Sequence, residues 1–201
     1  MVRYLRFAPR MWRSEVNHAV LGLVDPAPGE RVVDVGAGMG PGTVLAAAAG
    51  ASVTAVEPTP FMRVILQVRR LLQSGRARIS VVDGAAEQLP VADDTADALW
   101  AVNAMHHWTD PERGAAEIAR VLRTGGRVVL VDEDFDDPDH PEYERFRSRH
   151  GDGDGDDHGF AMVDAQRMGD LLAGAGLVDV AAGRRELAGR PVIAVTGRAA
   201  P

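Results

Sequence analysis

The sequence predicts an α/β fold, a doubly wound, mostly parallel seven-stranded sheet, on three observations. Apolar runs of strand length alternate with longer segments of helical spacing, which is how a parallel sheet covered by helices is written in sequence. One of those runs ends directly in a glycine-rich turn, Asp34-Val35-Gly36-Ala37-Gly38-Met39-Gly40. The final two runs lie too close together for a helical crossover, so they pair antiparallel as a C-terminal hairpin.

Arg31 to Val35 is the first strand, entered through the turn Asp25-Pro26-Ala27-Pro28-Gly29. Pro41 to Gly50 follows as a helix of small residues, and Ser52 to Val56 as the second strand. Thr59 to Ser74 places Phe61, Ile65, Val68, Leu71 and Leu72 close to helical spacing. Arg78 to Val82 and Ala96 to Val102 are the third and fourth strands. A helix from Pro111 to Leu122 starts on proline with Glu112 in its first turn and exits at Gly125-Gly126, before a fifth strand at Arg127 to Val131. From Asp132 to Gly159 the chain becomes acidic and reads as a long loop with one short helix at Glu142 to Arg149. A last helix, Val163 to Gly174, leads to strands at Val178 to Leu187 and Val192 to Arg198.

The 201 residues fit one domain, with a short N-terminal helical cap at 1–25 and the acidic loop at 132–159. No apolar run approaches the roughly 20 residues of a membrane helix, and the arginine-interrupted start lacks the form of a secretory signal. There is no cysteine, so thiolate chemistry is excluded and an oxidising compartment brings no gain. All 22 basic residues are arginine, which removes Schiff-base lysines and the P-loop lysine. These features point to a cytoplasmic protein with no membrane partner. A net charge of −7 opposes binding to nucleic acid, leaves a small molecule as the expected partner, and does not decide whether the chain forms a homodimer.

A strand that runs into glycines and a helix lets backbone approach a ligand and presents free N–H groups to it, although a plain tight turn has the same form. In an open parallel sheet such ligands bind beyond the carboxyl ends of the strands. Two details separate this turn from a dinucleotide site. Pro41 stands where the sixth position of a Gly-x-Gly-x-x-Gly pattern wants glycine, and Asp34 precedes the first glycine by two residues. A carboxylate there needs polar partners, which a ligand ammonium group or the turn's own N–H groups supply.

These residues resemble the class I S-adenosylmethionine-dependent methyltransferases, specifically the small-molecule branch that includes the ubiquinone and menaquinone biosynthesis enzymes. The likeness implies a Rossmann-like domain with sheet order 3-2-1-4-5-7-6. It implies that Asp34, Gly36, Ala37, Gly38 and Gly40 surround the methionine part of the cofactor. Glu57, 21 residues after Gly36, stands where the family binds both ribose hydroxyls, and Pro58 and Met62 belong to the segment that lies against adenine. Asp83-Gly84-Ala85 is similar to the third-strand motif, whose acid receives the adenine amino group while a nearby N–H reaches the ring. Asn103-Ala104-Met105-His106-His107-Trp108 resembles the segment bordering the methionine end, and Glu117 to Arg127 the helix and turn before the fifth strand. Alone, Glu57 is a solvated strand-end carboxylate and Asp83-Gly84 an ordinary turn; their order after the glycines is what assigns them to the cofactor.

The expected reaction is methyl transfer from S-adenosylmethionine to an O, N or C nucleophile of a small molecule. His106 and His107 are the candidate catalytic residues, since an imidazole titrating near neutrality accepts a proton as the methyl arrives. Packing or substrate contact is the plainer role for both, because methyl transfer depends mainly on in-line positioning. Asp152 to Asp157 lack the glycine and glutamate of a calcium loop in either frame, so no metal is expected. Missing cysteine excludes thiolate-dependent cytosine methylation, and Asn103-Ala104-Met105-His106 lacks the Asn-Pro-Pro-Tyr type motif of amino-group methylases acting on nucleic acid. Two other readings are a non-catalytic S-adenosylmethionine-binding protein and an NAD-dependent oxidoreductase, the latter opposed by Asp34 and Pro41.

Overall fold

A computed structural model describes residues 15–150 and 164–201. Its elements in chain order are α1 (Glu15–Val24), β1 (Arg31–Val35), α2 (Pro41–Ala48), β2 (Ser52–Val56), α3 (Pro60–Leu71), β3 (Ile79–Val82), β4 (Ala96–Val102), α4 (Pro111–Val121), β5 (Leu122–Glu133), α5 (Tyr143–His150), α6 (Ala165–Gly174), β6 (Leu177–Leu187) and β7 (Arg190–Ala199). The seven strands form one sheet in the order β3-β2-β1-β4-β5-β7-β6. β7 runs antiparallel to both β5 and β6, and the remaining neighbours pair in parallel. Fold class, strand order and terminal hairpin are therefore as expected from the sequence.

Alternation along each strand sends side chains to two apolar layers. On one face Val33, Val35, Leu99, Ala101, Val128 and Leu130 pack with Ala115, Ile118 and Val121 of α4 and Met168 and Leu172 of α6. On the other, Val32, Val53, Ala98, Trp100, Val129 and Val131 meet Val16, Val20 and Val24 of α1 and Ala46 and Ala47 of α2. The small residues of α2 have a packing reason: a Cβ at Gly42 would stand 2.9 Å from Trp100 Nε1. α3 packs lightly, with only Leu66 fully buried. Gly40 permits that contact, because its φ is 74° and a Cβ there would fall 2.1 Å from Leu66 Cδ1.

The sheet's lower edge is tied by one guanidinium. Arg127 donates to the Val24 and Asp25 carbonyls, to Asp97 O, and to both carboxylate oxygens of Glu30. One cation thus joins the end of α1, the entry to β1, β4 and β5.

The structure revises the expected boundary of the acidic loop. β5 begins at Leu122 and ends at Glu133, so Asp132 and Glu133 are strand residues. The strand passes Thr124-Gly125-Gly126 through a register shift against β4, with Gly125 at φ 71°. Asp132 stays in the strand because backbone N–H groups across the rim satisfy its carboxylate, which a solvated loop would leave to water. The first fourteen residues of the expected N-terminal cap and the Asp152–Asp157 run lie outside the described residues.

Asp34 is buried on the α2 face, 4% exposed. Thr43 Oγ1 donates to its Oδ2 at 2.6 Å. The neighbouring Trp100 indole N–H makes no hydrogen bond of ordinary geometry, and its influence on Asp34 is that of a nearby dipole. Burial raises the carboxyl pKa to about 7; Thr43 opposes the rise, and the charge of Glu57 adds to it.

Two outcomes follow for stability. Gly40→Ala, strained in φ and blocked by buried Leu66, is expected to lose roughly 2–3 kcal/mol in denaturant unfolding, whereas Gly22→Ala, with open space at its Cβ, gains roughly 0.5–1 kcal/mol. A carboxyl whose pKa is higher folded than unfolded binds more protons in the native state, so its contribution falls as pH rises from about 4 to about 7. Asp34→Asn lacks this loss, and its melting temperature relative to wild type is expected to climb across that window. A flat difference would contradict the burial argument.

Candidate functional site

The carboxyl ends of β1, β2, β3 and β4 form one rim, and the sequence-predicted residues collect on it. The glycine turn is held from below by Val56 O, which accepts N–H groups from Gly36 at 2.9 Å and Ala37 at 3.0 Å. Gly36, Gly38 and Gly40 all have positive φ, at 68°, 53° and 74°. At Gly36 a Cβ would lie 2.6 Å from Ala104 Cβ, so the turn and the segment after β4 are in direct contact. The atom nearest to a Cβ placed at Gly38 would be Gly36 O at 4.0 Å, which leaves the turn's outer side open.

Glu57, 5% exposed, sits at the end of β2. Its Oε2 accepts from Gly38 N and its Oε1 from Thr59 N, both at 2.8 Å. Each oxygen therefore has one backbone donor and retains lone-pair capacity for a further one, as a diol-binding carboxylate requires. Pro58 is exposed and Met62 half-buried beside it.

Asp83 is more open than Glu57, and its Oδ1 pairs with Arg63 Nη1 at 2.7 Å. The same Nη1 donates to Glu57 O and Pro58 O at 2.8 Å. Arg63 thus staples the start of α3 to the ends of β2 and β3, a role with no recognisable signal in the sequence. Gly84 is required by space, since a Cβ would stand 2.7 Å from Pro90 Cδ and 3.0 Å from Val56 Cγ1. Ala85 forms a bridge with Gln88 that closes this loop.

After β4, Asn103 turns the chain at φ 52°. Its side chain faces the neighbouring strand: Nδ2 donates to Glu133 Oε1 at 2.9 Å, and Oδ1 accepts from Glu133 N at 2.7 Å. Glu133 also meets His140 Nε2 at 3.0 Å and the Arg190 guanidinium. The amide of Asn103 is therefore occupied in positioning backbone.

Asp132 organises the next turn. Its Oδ1 accepts from Ala104 N at 3.0 Å and Met105 N at 3.3 Å, while its Oδ2 accepts from His106 N at 3.0 Å. His106 Nδ1 lies 2.7 Å from the same Oδ2. With Nδ1–H donating to this carboxylate, Nε2 is the lone-pair nitrogen, the arrangement that orients a general base. His107 is exposed at the rim, its ring 4.0 Å from that of His106. Desolvation holds its pKa below the ordinary imidazole value, repulsion from His106 adds to this, and Asp132 opposes it. Asp132 is absent from the sequence-predicted set. The available signal is a carboxylate directly following a strand that neighbours the histidine-bearing rim.

Comparison with known proteins finds methyltransferases. A methyltransferase domain family matches residues 33–130. A demethylmenaquinone methyltransferase of Clavibacter sepedonicus is 34% identical over 123 residues, 61% of this chain and 47% of the relative. An uncharacterized methyltransferase of Mycobacterium tuberculosis is 42% identical over 106 residues, 53% of this chain and 41% of the relative. The chain thus spans less than half the length of these relatives. Among solved structures, the YcgJ protein of Bacillus subtilis superposes with a TM-score of 0.69 at 18% identity, covering 92% of this chain and 99% of that one, a likeness of fold. The strand order and the family match over residues 33–130 make this chain similar to the class I S-adenosylmethionine-dependent methyltransferases.

Proposed function

We propose that the protein transfers a methyl group from S-adenosylmethionine to an O, N or C nucleophile of a small-molecule acceptor. The observation that carries this reading is the contact of Gly36 with Ala104, which sets the glycine turn against the segment bearing the Asp132–His106 pair. A cofactor cradle and an oriented base then share one rim.

The residues present suit the cofactor. Asp34 and the turn Gly36-Ala37-Gly38-Met39-Gly40 border the methionine end, Glu57 takes the ribose hydroxyls, and Asp83 with Gly84 and Ala85 receives the adenine. Pro58 and Met62 supply apolar surface beside the ring, and the Asn103 backbone borders the methyl-bearing side. When bound, S-adenosylmethionine supplies an electrophilic sulfonium methyl group and leaves as S-adenosylhomocysteine. His106 Nε2 takes the acceptor proton as its heavy atom gains the methyl group, and Asp132 holds Nδ1–H and balances the imidazolium charge. His107, kept neutral by its lowered pKa, adds rim surface facing the acceptor.

The demethylmenaquinone methyltransferase relative supports an acceptor of quinone type. The net charge of −7 supports a small molecule over nucleic acid, and a cysteine-free chain supports a cytoplasmic location. Among the described residues no helix is long and apolar enough to cross a membrane.

Glu57→Gln is expected to weaken S-adenosylmethionine binding by about 1.5–3 kcal/mol in calorimetry, the range for hydrogen bonds to a charged group. Unchanged affinity would remove Glu57 from the cofactor site. Asp132→Asn and His106→Gln are each expected to lower kcat by roughly 10²–10⁴ with a panel of hydroxylated ring acceptors, while cofactor affinity stays within about threefold. S-adenosylhomocysteine production at the wild-type rate in both variants would sink the base assignment. Binding of S-adenosylmethionine without turnover on any acceptor would favour a non-catalytic role.

A further inference from the structure

α3 carries a surface that the site does not use. Val64, Val68, Leu71 and Leu72 are 62%, 57%, 63% and 79% exposed. Their spacing of four, three and one residues places them on one side of the helix, turned away from buried Leu66. Surface apolar residues scattered singly are ordinary, whereas four together on one helix side mark an interaction site.

The charge around this stripe is unlike that of the rest of the chain. Residues 58–82 contain Arg63, Arg69, Arg70, Arg76 and Arg78 and no aspartate or glutamate, in a protein of net charge −7. Arg76 and Arg78 are exposed just beyond the helix, and Arg70 Nε reaches Arg76 O at 3.1 Å, which draws positive charge to the Leu71–Leu72 end. An aliphatic stripe ending in arginines on an amphipathic helix suits a lipid headgroup boundary: the apolar side chains enter the acyl edge and the guanidinium groups meet anionic headgroups.

Other occupants fit less well. The N-terminal segment carries Arg3, Arg6, Arg10 and Arg13 with no acid before Glu15, so its charge repels this surface. A second copy seated face to face would bring the same five arginines against these. Single-stranded nucleic acid binds on aromatic stacking platforms, and the exposed stripe is aliphatic.

We propose that α3 docks the protein peripherally on an anionic membrane surface through Val64, Val68, Leu71 and Leu72, with Arg70, Arg76 and Arg78 meeting the headgroups. The expectation of no membrane partner came from the lack of a spanning segment, which peripheral docking does not need. Because α3 begins at Pro60, three residues after Glu57, docking would hold the rim close to the bilayer. The inference stands apart from methyl transfer and is tested without it.

The test is flotation of the full chain with vesicles of mixed phosphatidylglycerol and phosphatidylcholine, and with vesicles of phosphatidylcholine alone. The wild type is expected to float with the anionic vesicles and to be released by high salt. Leu71→Gln with Leu72→Gln, and separately Arg76→Gln with Arg78→Gln, are each expected to reduce binding about tenfold or more. Melting curves check both variants; where the leucine pair alters folding, the arginine pair decides. The proposal is overturned by any of three results: no flotation on anionic vesicles, equal flotation on neutral ones, or a wild-type dimer in light scattering that Leu71→Gln with Leu72→Gln dissociates.

Discussion

The site depends on the absence of one side chain. With no Cβ at Gly36, the turn after β1 closes on Ala104, and that closeness sets the distance between the two halves of the rim. The constraint continues beyond the contact. Ala104 N is one of three backbone donors held by Asp132, whose second oxygen also meets His106 Nδ1. A larger residue at 36 would push on Ala104 and so on the atom that fixes the imidazole. Glycine here is a spacing element between the two halves of the rim, as well as a residue suited to positive φ.

Much of this architecture is legible in the sequence because it rests on local chemistry. The strand cores follow from runs such as Arg31-Val32-Val33-Asp34-Val35, and the hairpin follows from a connection too short to cross over. Asp34, the glycines, Glu57 and Asp83 are recognisable because each lies at or just after the carboxyl end of a strand in a parallel sheet. Asp132 and Arg63 are harder to read because they act through neighbours distant in sequence. Asp132 stands at the start of an acidic run, and composition alone assigns it to solvent. Only the register of β4 beside β5 brings the N–H groups of residues 104–106 within reach of its carboxylate. Arg63 resembles any other arginine of α3 until the ends of β2 and β3 are adjacent.

Asp34, Glu57 and Asp132 are all buried carboxylates, yet among the described residues none is neutralised by arginine. A hydroxyl holds the first, backbone N–H groups hold the second, and backbone N–H groups with an imidazole hold the third. For Glu57 and Asp132, dipolar partners leave negative potential at the rim that a salt bridge would cancel. That potential suits a cofactor carrying both an ammonium and a sulfonium centre. The arginines are used elsewhere, as Arg120 on Glu117 and Asp93 and Arg63 on Asp83 show.

The guanidinium of Arg127 gives the molecule an anchored end. By joining α1, β1, β4 and β5 at the edge opposite the site, it forms a base plate from which the strands project toward the rim. The strand ends at the rim are held separately, by Arg63 on β2 and β3 and by Asp132 on the turn after β4.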